Sequence, residues 1–365
     1  VDANLLRSLF NLLTSLLQPS RGVDPKKPES QSMVKLWFLF SFVWAFGGNL
    51  LEASRPKWDH YVRSCGIAQE LDPNFPKDGT VFDYCVTPAT QSFVSWSSLC
   101  PAFAFDTDQP YFNILVPTGE TTGYGTLLSV LTLNGFHCML VGETGTGKSV
   151  MVQGFLNRQP QEAVTGIQAS FSAQTSARNI QDLLELKLSK LRKNLLGATT
   201  GRQCIVFVDD INMPALEKYG AQPPVELVRQ TLTQGGFYDL KKLFFKRVQN
   251  TSFVAACGPP GGGRNAMTDR LLRHFSLIWM PQISRVSLHH LLAALRRVLR
   301  RAADRQHHAL NPEADVTCRH VSCDVDTLPF LSEWSTRLRV FPRDVPPPPG
   351  GPPPERLPSG ALCAW

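Results

Sequence analysis

Eight residues, Gly142-Glu143-Thr144-Gly145-Thr146-Gly147-Lys148-Ser149, restrict what this chain can fold into more than any other stretch. Gly142, Gly147, Lys148 and Ser149 stand at the four fixed places of G-x-x-x-x-G-K-[ST]. In that pattern the backbone N–H groups of a glycine-rich turn cradle phosphates, the lysine reaches the terminal phosphates, and the hydroxyl holds Mg2+. The four places recur by chance in roughly one chain of this length in a hundred, so the flanks decide. Phe136-His137-Cys138-Met139-Leu140-Val141 reads as a short buried strand running into the loop. Ser149 to Leu156 reads as a helix leaving it, with its N-terminus toward the anion.

A nucleoside-triphosphate site also needs an acid for the metal. Cys204-Ile205-Val206-Phe207-Val208-Asp209-Asp210 supplies a hydrophobic strand ending in two carboxylates. Further along, Gly166 to Phe171, Thr251 to Ala256 and Ser276 to Met280 read as strands. Helices are expected over Thr126 to Leu133 and Val225 to Gln230, and a short basic helix or turn over Thr268 to Phe275. Alternating strands and helices predict an α/β P-loop fold, a parallel sheet flanked by helices.

A helix after the second strand is expected to be capped by Ser172 or Thr175. It would carry Ile180, Leu183, Leu184, Leu188 and Leu191 on one side and end in Lys190, Arg192 and Lys193. Ile114-Leu115-Val116-Pro117-Thr118 reads as a strand halted by proline. Val116 to Thr118 either line the base side of the nucleotide or form an edge strand.

The N-terminal portion, residues 1–70, reads as helical, beginning with leucines at helical spacing from Asn4 to Leu17. Trp37 to Phe46 is apolar all round but too short to span a bilayer, so burial in a large protein and no membrane partner are expected. Residues 71–110, rich in Pro, Asp, Gly and Trp, read as an irregular linker, and 111–300 as the nucleotide-binding module. Residues 301–365, with Pro346-Pro347-Pro348-Pro349-Gly350-Gly351-Pro352-Pro353-Pro354, are expected to be disordered.

The chain has 365 residues, a hydrophobic content of 43% and a net charge of +7. That is enough for a full core, and the charge is too diluted to argue for a nucleic-acid partner. The nine cysteines form no repeating framework, which suits a reduced, intracellular compartment. Cys318, His320 and Cys323, with His307 and His308 upstream, match no common zinc spacing. Val1-Asp2-Ala3-Asn4 carries neither an initiating Met nor a basic leader, so the chain reads as a piece of a longer product.

The wider pattern is specific. The glycine loop is followed by Ser172-Ala173-Gln174-Thr175-Ser176, then Asp209-Asp210-Ile211-Asn212-Met213-Pro214. Tyr219-Gly220-Ala221-Gln222-Pro223-Pro224-Val225-Glu226-Leu227-Val228-Arg229-Gln230 comes next. Gly258-Pro259-Pro260-Gly261-Gly262-Gly263-Arg264-Asn265 and Arg270-Leu271-Leu272-Arg273-His274-Phe275 complete it. In this order the chain resembles the third AAA+ module of axonemal dynein heavy chains. Phe38 to Gly48 and Arg55 to Val62 resemble the helical end of the module before it.

The resemblance implies one part of a ring of six AAA+ modules in a minus-end-directed microtubule motor of cilia and flagella. It also implies a location in cytoplasm, cytoskeleton and axoneme. The other modules of the ring would be direct neighbours. Intermediate chains, light chains and microtubules would be reached through other parts of such a heavy chain. In that family the third module binds ATP and regulates rather than powers the motor.

Roles carried over by position give Gly142, Glu143, Thr144, Gly145, Thr146, Gly147, Lys148 and Ser149 to ATP, and Ser149 and Asp209 to Mg2+. Val116 and Pro117 fall at the adenine side. Asp210 stands where a catalytic glutamate usually polarises water, one methylene shorter, and Gly258 stands where many modules place a polar γ-phosphate sensor. Arg273 matches either an arginine finger aimed at a neighbour's nucleotide or a structural ion pair.

The chain departs from the family in Val116-Pro117-Thr118-Gly119-Glu120-Thr121-Thr122-Gly123, where an arginine is missing, and after Arg301, where no lid arginine follows. Slow ATPase chemistry is the leading expectation, and the isolated chain is expected to be a poor ATPase. A nucleic-acid translocase and a non-catalytic scaffold stabilised by nucleotide are the alternatives.

Overall fold

The strand that follows from Cys204-Ile205-Val206-Phe207-Val208 forms as β7 (Gln203–Asp209), and every one of those five residues is buried. Such continuous burial is what a strand covered on both faces requires. In the computed structural model, which describes residues 2–24, 26, 30–103, 116–199, 201–285 and 287–296, β7 lies inside a parallel five-stranded sheet. Its neighbours are β3 (Cys138–Val141), β4 (Val164–Ser170), β10 (Thr251–Cys257) and β11 (Ser276–Trp279), in the order β11-β3-β10-β7-β4.

The two-residue period of the strands splits their side chains between two cores. Cys138, Leu140, Ile205, Phe207, Val254, Ala256 and Ile278 face one core; Met139, Cys204, Val206, Val208, Phe253, Ala255 and Cys257 face the other. The second core is closed by α8 (Ala177–Lys187) and α9 (Pro223–Gln234), through Ile180, Leu184, Val225 and Val228. The first is closed by α6 (Gly119–Leu133) and α7 (Lys148–Arg158) and runs on into the N-terminal helices.

Those helices are α1 (Asp2–Leu16), α2 (Ser30–Gly47), α3 (Arg55–Ser64) and α4 (Ile67–Leu71). Helix α2 buries Met33, Leu36, Trp37, Leu39, Phe40, Val43, Trp44 and Ala45. Among the described residues no helix is long and apolar enough to cross a membrane.

Arg55 fastens this segment to the sheet. Its guanidinium donates to Tyr124 Oη in α6 (2.9 Å) and to the Trp279 carbonyl at the end of β11 (2.7 Å). It also lies over the Phe82 ring.

Four expectations are corrected. The segment read as irregular contains a hairpin, β1 (Tyr84–Thr87) with β2 (Ser92–Ser95), and a short helix α5 (Trp96–Leu99), whose Trp96 is buried with its indole N–H on the Phe82 carbonyl. Helix α6 begins seven residues earlier than its apolar pattern, at a capping box of Thr118 and Thr121. Val116 to Thr118 form no strand, while Ile114 and Leu115 lie outside the described residues.

Helix α8 is capped by Ser176, whose hydroxyl accepts from Asn179 N (3.2 Å), because Ser172 and Thr175 are spent on the turn before it. It stops at Lys187. Lys190, Leu191 and Arg192 belong instead to β5 (Ser189–Arg192), which joins β6 (Leu195–Gly197), β8 (Gly236–Tyr238) and β9 (Phe245–Gln249) in a four-stranded sheet, order β5-β6-β9-β8. Cross-strand pairing overrides helical spacing there, and Lys246 of β9 pins the sheet by pairing with Glu185 (2.8 Å) and Asp239 (2.5 Å). The proline-rich tail and the Cys318, His320 and Cys323 group lie outside the described residues.

His137, just before β3, accepts a hydrogen bond at Nδ1 from Phe253 N (3.1 Å) and sits against the Phe253 and Phe275 rings. Burial, with His274 nearby, pushes its pKa down to about 4. The folded pKa lies below the unfolded one, so stability is full above about pH 6.5 and is lost as pH falls toward 4, by roughly 3 kcal/mol in all. Urea unfolding between pH 7 and pH 4 should show this loss, and His137→Gln should flatten it.

Candidate functional site

The register of the sheet brings the strand ends together. Val141 pairs with Cys257, and Ala255 with Val208, so Gly142, Gly258 and Asp209 leave the sheet at one edge. The Ile211 amide donates back to the Ala256 carbonyl (3.1 Å) and Gly142 N to the Cys257 carbonyl (3.2 Å), which fixes both loops against β10. Lys148 and Asp209 therefore belong to loops two strands apart, a separation of roughly 10 Å at the sheet. That edge, where β3 has neighbours on both sides, is the usual binding crevice of an open α/β sheet.

Gly145 (φ 87°) and Gly147 (φ 81°) are left-handed, and a Cβ on either would meet no atom within 4 Å. Conformation rather than crowding calls for glycine here, and the loop's outer face stays open to a ligand. Gly147 is also the N-cap of α7, so the unpaired amides of the first turn open onto the same space. Thr146 Oγ1 donates to the Glu143 carbonyl (3.0 Å) and holds the turn. The Glu143 carboxylate accepts from the Gln282 side chain, and Thr144 is exposed.

The Lys148 ammonium bends back over its own loop, donating to Gly142 O (2.8 Å), Glu143 O (2.6 Å) and Thr146 Oγ1 (3.2 Å). Burial pushes its pKa down; Asp210 and Asp209 pull it back up and Arg264 adds to the depression. Ser149 is the second residue of α7 and half-buried.

Asp209 accepts its neighbour's amide at Oδ1 (3.1 Å). Asp210 is left-handed (φ 50°), a conformation that costs a side-chain-bearing residue about 1 kcal/mol. Its carboxylate meets Arg264 Nη2 at 3.4 Å.

The donor set suits a nucleotide with Mg2+. A glycine cradle and helix N-terminus offer amides, Lys148 a cation, and Ser149 with Asp209 the one or two oxygen ligands that Mg2+ takes while keeping its waters. Among the described residues no group of three or more His, Cys, Asp or Glu could hold a metal.

Other candidates lie elsewhere. Val116 is buried and Pro117 half-buried, directly before the Thr118 cap of α6. Arg273 is exposed just after α10 (Asp269–Leu272), three residues before β11, whose start lies at the sheet end opposite the loop. Its carbonyl accepts from Arg7 (2.7 Å) and its Nε lies 3.4 Å from His274 Nε2.

Two site residues carry no role in the sequence reading. Buried Asn212 donates to the Gly258 (2.9 Å) and Asn265 (3.2 Å) carbonyls, tying the acid loop to the glycine-rich one. Arg264 is the second. Both lie inside the quoted motifs, but only the fold brings them to the edge where the glycine loop and the acid strand meet.

The parallel sheet with its glycine loop, lysine and strand-end acid defines a P-loop nucleotide-binding module of the AAA+ type. Residues 103–283 match the P-loop containing dynein motor region, and residues 1–98 match the dynein heavy chain AAA lid domain. Human dynein axonemal heavy chain 6 is 38% identical over 298 residues, 81% of this chain and 7% of that protein. Mouse dynein axonemal heavy chain 1 is 38% identical over 311 residues, 78% of this chain and 7% of that one. The Dynein-1-beta heavy chain of the flagellar inner arm I1 complex of Chlamydomonas reinhardtii is 37% identical over 248 residues, covering 68% and 5%. The chain belongs to the axonemal dynein heavy chain family, and spans about 7% of the length of the first of these relatives.

Proposed function

We propose that this chain carries the third AAA+ module of an axonemal dynein heavy chain together with the helical end of the second. Its site binds ATP with Mg2+ and hydrolyses it slowly, regulating a minus-end-directed microtubule motor of the ciliary or flagellar axoneme. The observation that carries this reading is the convergence of Lys148, Ser149, Asp209 and Asp210 on one edge of the sheet, within a chain of this family. The loop residues Gly142 to Ser149 hold phosphate, Ser149 and Asp209 hold Mg2+, and Val116 and Pro117 flank the base.

Slow chemistry is supported by Asp210. Its carboxylate is one methylene shorter than glutamate and turned by a left-handed backbone, so it is badly placed to polarise a water. Arg273, exposed at the opposite end of the sheet, suits a finger offered to a neighbouring module's nucleotide. Partners are the adjacent modules of the ring; intermediate chains, light chains and microtubules are reached through other parts of a heavy chain.

In an intact ring whose other sites are disabled, single-turnover ATP hydrolysis here should be at least about tenfold slower than at the main site, the size of a modest loss of general-base positioning. Equal rates would refute the regulatory reading. Binding that is unaffected by EDTA would remove Mg2+ from it.

A further inference from the structure

Gly258 follows β10, the strand between the glycine loop and the acid strand, so it leaves the sheet between those two loops. A Cβ built on Gly258 would come within 2.7 Å of both Cδ and Nε of Arg264. The space that a side chain would fill is taken by the stem of an arginine arriving from six residues further along.

That arginine is held from several directions. Gly261 and Arg264 exchange two backbone hydrogen bonds of 3.0 Å in a tight glycine turn. Asn212 and Asn265 bond to each other's backbone: Asn265 N donates to Asn212 O at 3.0 Å, and Asn212 Nδ2 to Asn265 O at 3.2 Å. Asn265 Nδ2 reaches Pro214 O at 2.8 Å. The guanidinium ends 3.4 Å from Asp210 and close enough to Lys148 for the two positive charges to oppose one another. Its Nε is buried without a hydrogen-bond partner.

A guanidinium near a second cation, with an unmet buried donor, suits an anion beside them. Asp210 meets that need only in part, through one long contact from a half-exposed carboxylate.

We propose that Arg264, its stem seated in the room Gly258 leaves, is the residue that distinguishes ATP from ADP at this site by binding the terminal phosphate, with Asp210 as its partner when that phosphate is absent. The proposal rests on the nucleotide reading above. It gives the site a phosphate sensor that is charged rather than merely polar, and it couples sensing to the acid that would orient water. Asn212 and Asn265 act as positioning residues.

The test is equilibrium binding of ATPγS and of ADP, each with Mg2+, to the full 365-residue chain and its variants. A charge-assisted hydrogen bond contributes about 1.5–3 kcal/mol, roughly a 10- to 100-fold change in affinity. Arg264→Ala should weaken ATPγS by about that factor and leave ADP within about twofold. Arg264→Lys should recover part of the loss, since a point charge replaces a fork.

Gly258→Ala should mimic Arg264→Ala, because its Cβ displaces the arginine stem while every charge is retained. The melting temperature of each variant is measured without nucleotide, so a folding loss is read directly as a lower melting temperature with ATPγS and ADP affected alike. Equal weakening of both nucleotides, or of neither, in folded Arg264→Ala overturns the proposal and leaves nucleotide binding standing. Failure of the unsubstituted chain to bind either nucleotide overturns the nucleotide reading itself, and this proposal with it.

Discussion

Lys148→Ala is expected to reduce ATP affinity by at least about a hundredfold while leaving the fold intact. The ammonium now makes three bonds to neutral acceptors of its own loop, Gly142 O, Glu143 O and Thr146 Oγ1. Exchanging these for phosphate oxygens turns neutral acceptors into charged ones, and charge-assisted bonds are about twice as strong. Two such bonds lost together amount to about 3–5 kcal/mol, a factor of a few hundred or more. Burial already pushes the lysine toward its neutral form, so an incoming anion also relieves a desolvation penalty that Asp209 and Asp210 offset only partly. The loop itself stays anchored by the Gly142 amide on Cys257 O and by Thr146 on Glu143 O, neither of which involves the lysine. Titration calorimetry against circular dichroism separates the two effects, and a loss smaller than about tenfold would contradict this account of the loop.

The features legible in the sequence are those whose determinants are local. A run such as Cys204 to Val208 has one solution, a strand buried on both faces, and a glycine loop between an apolar strand and a helix has one use. The parallel sheet followed from that alternation. Determinants that lie across the fold were not legible. Leu188 and Leu191 keep helical spacing with Ile180 and Leu184, yet they leave the helix because β6 pairs with β9, some fifty residues on. The four-stranded sheet was hidden for the same reason: Phe237 and Val248 look like fragments until Lys246 gathers Glu185 and Asp239 around them. Helix α6 starts among Gly119, Gly123 and Gly125, which argue against helix, and Gly123 lies against the Trp96 indole, where a Cβ would approach the ring to 3.1 Å.

The site divides in the same way. Lys148, Ser149 and Asp209 announce themselves by spacing. Gly258 reads as a missing side chain, because only three-dimensional crowding reveals that Arg264 fills the gap. Asp210 reads as a shortened glutamate, whereas its left-handed backbone and its arginine partner redirect it as much as its length does. A sequence lists side chains in order and does not say which of them share a space.

Trp44→Ala should unfold both the N-terminal helices and the nucleotide-binding sheet in one transition, at a melting temperature lower by on the order of 10 °C. Trp44 lies in α2, 5% exposed, with its ring edge-on to Phe82 (5.4 Å) and to Tyr124 of α6 (5.8 Å), and near Phe40 (6.4 Å). Removing a buried tryptophan costs about 3–5 kcal/mol, and the cavity left between three aromatic rings has little freedom to collapse. The decisive point is where the loss is felt. Leu9, Trp37 and Trp44 of the helices share a single contiguous core with Leu128, Ile205, Phe207 and Val254 of the module, and Tyr124 also accepts from Arg55. A region matching a lid and a region matching a motor module thus share one core and are expected to melt together, the helical segment packing against the sheet that carries the glycine loop. Far-ultraviolet circular dichroism and the fluorescence of bound nucleotide should then report the same midpoint in the variant, as in the unsubstituted chain. Two separated transitions, with the helices melting first while nucleotide stays bound, would mean that the shared aromatic core does not couple them.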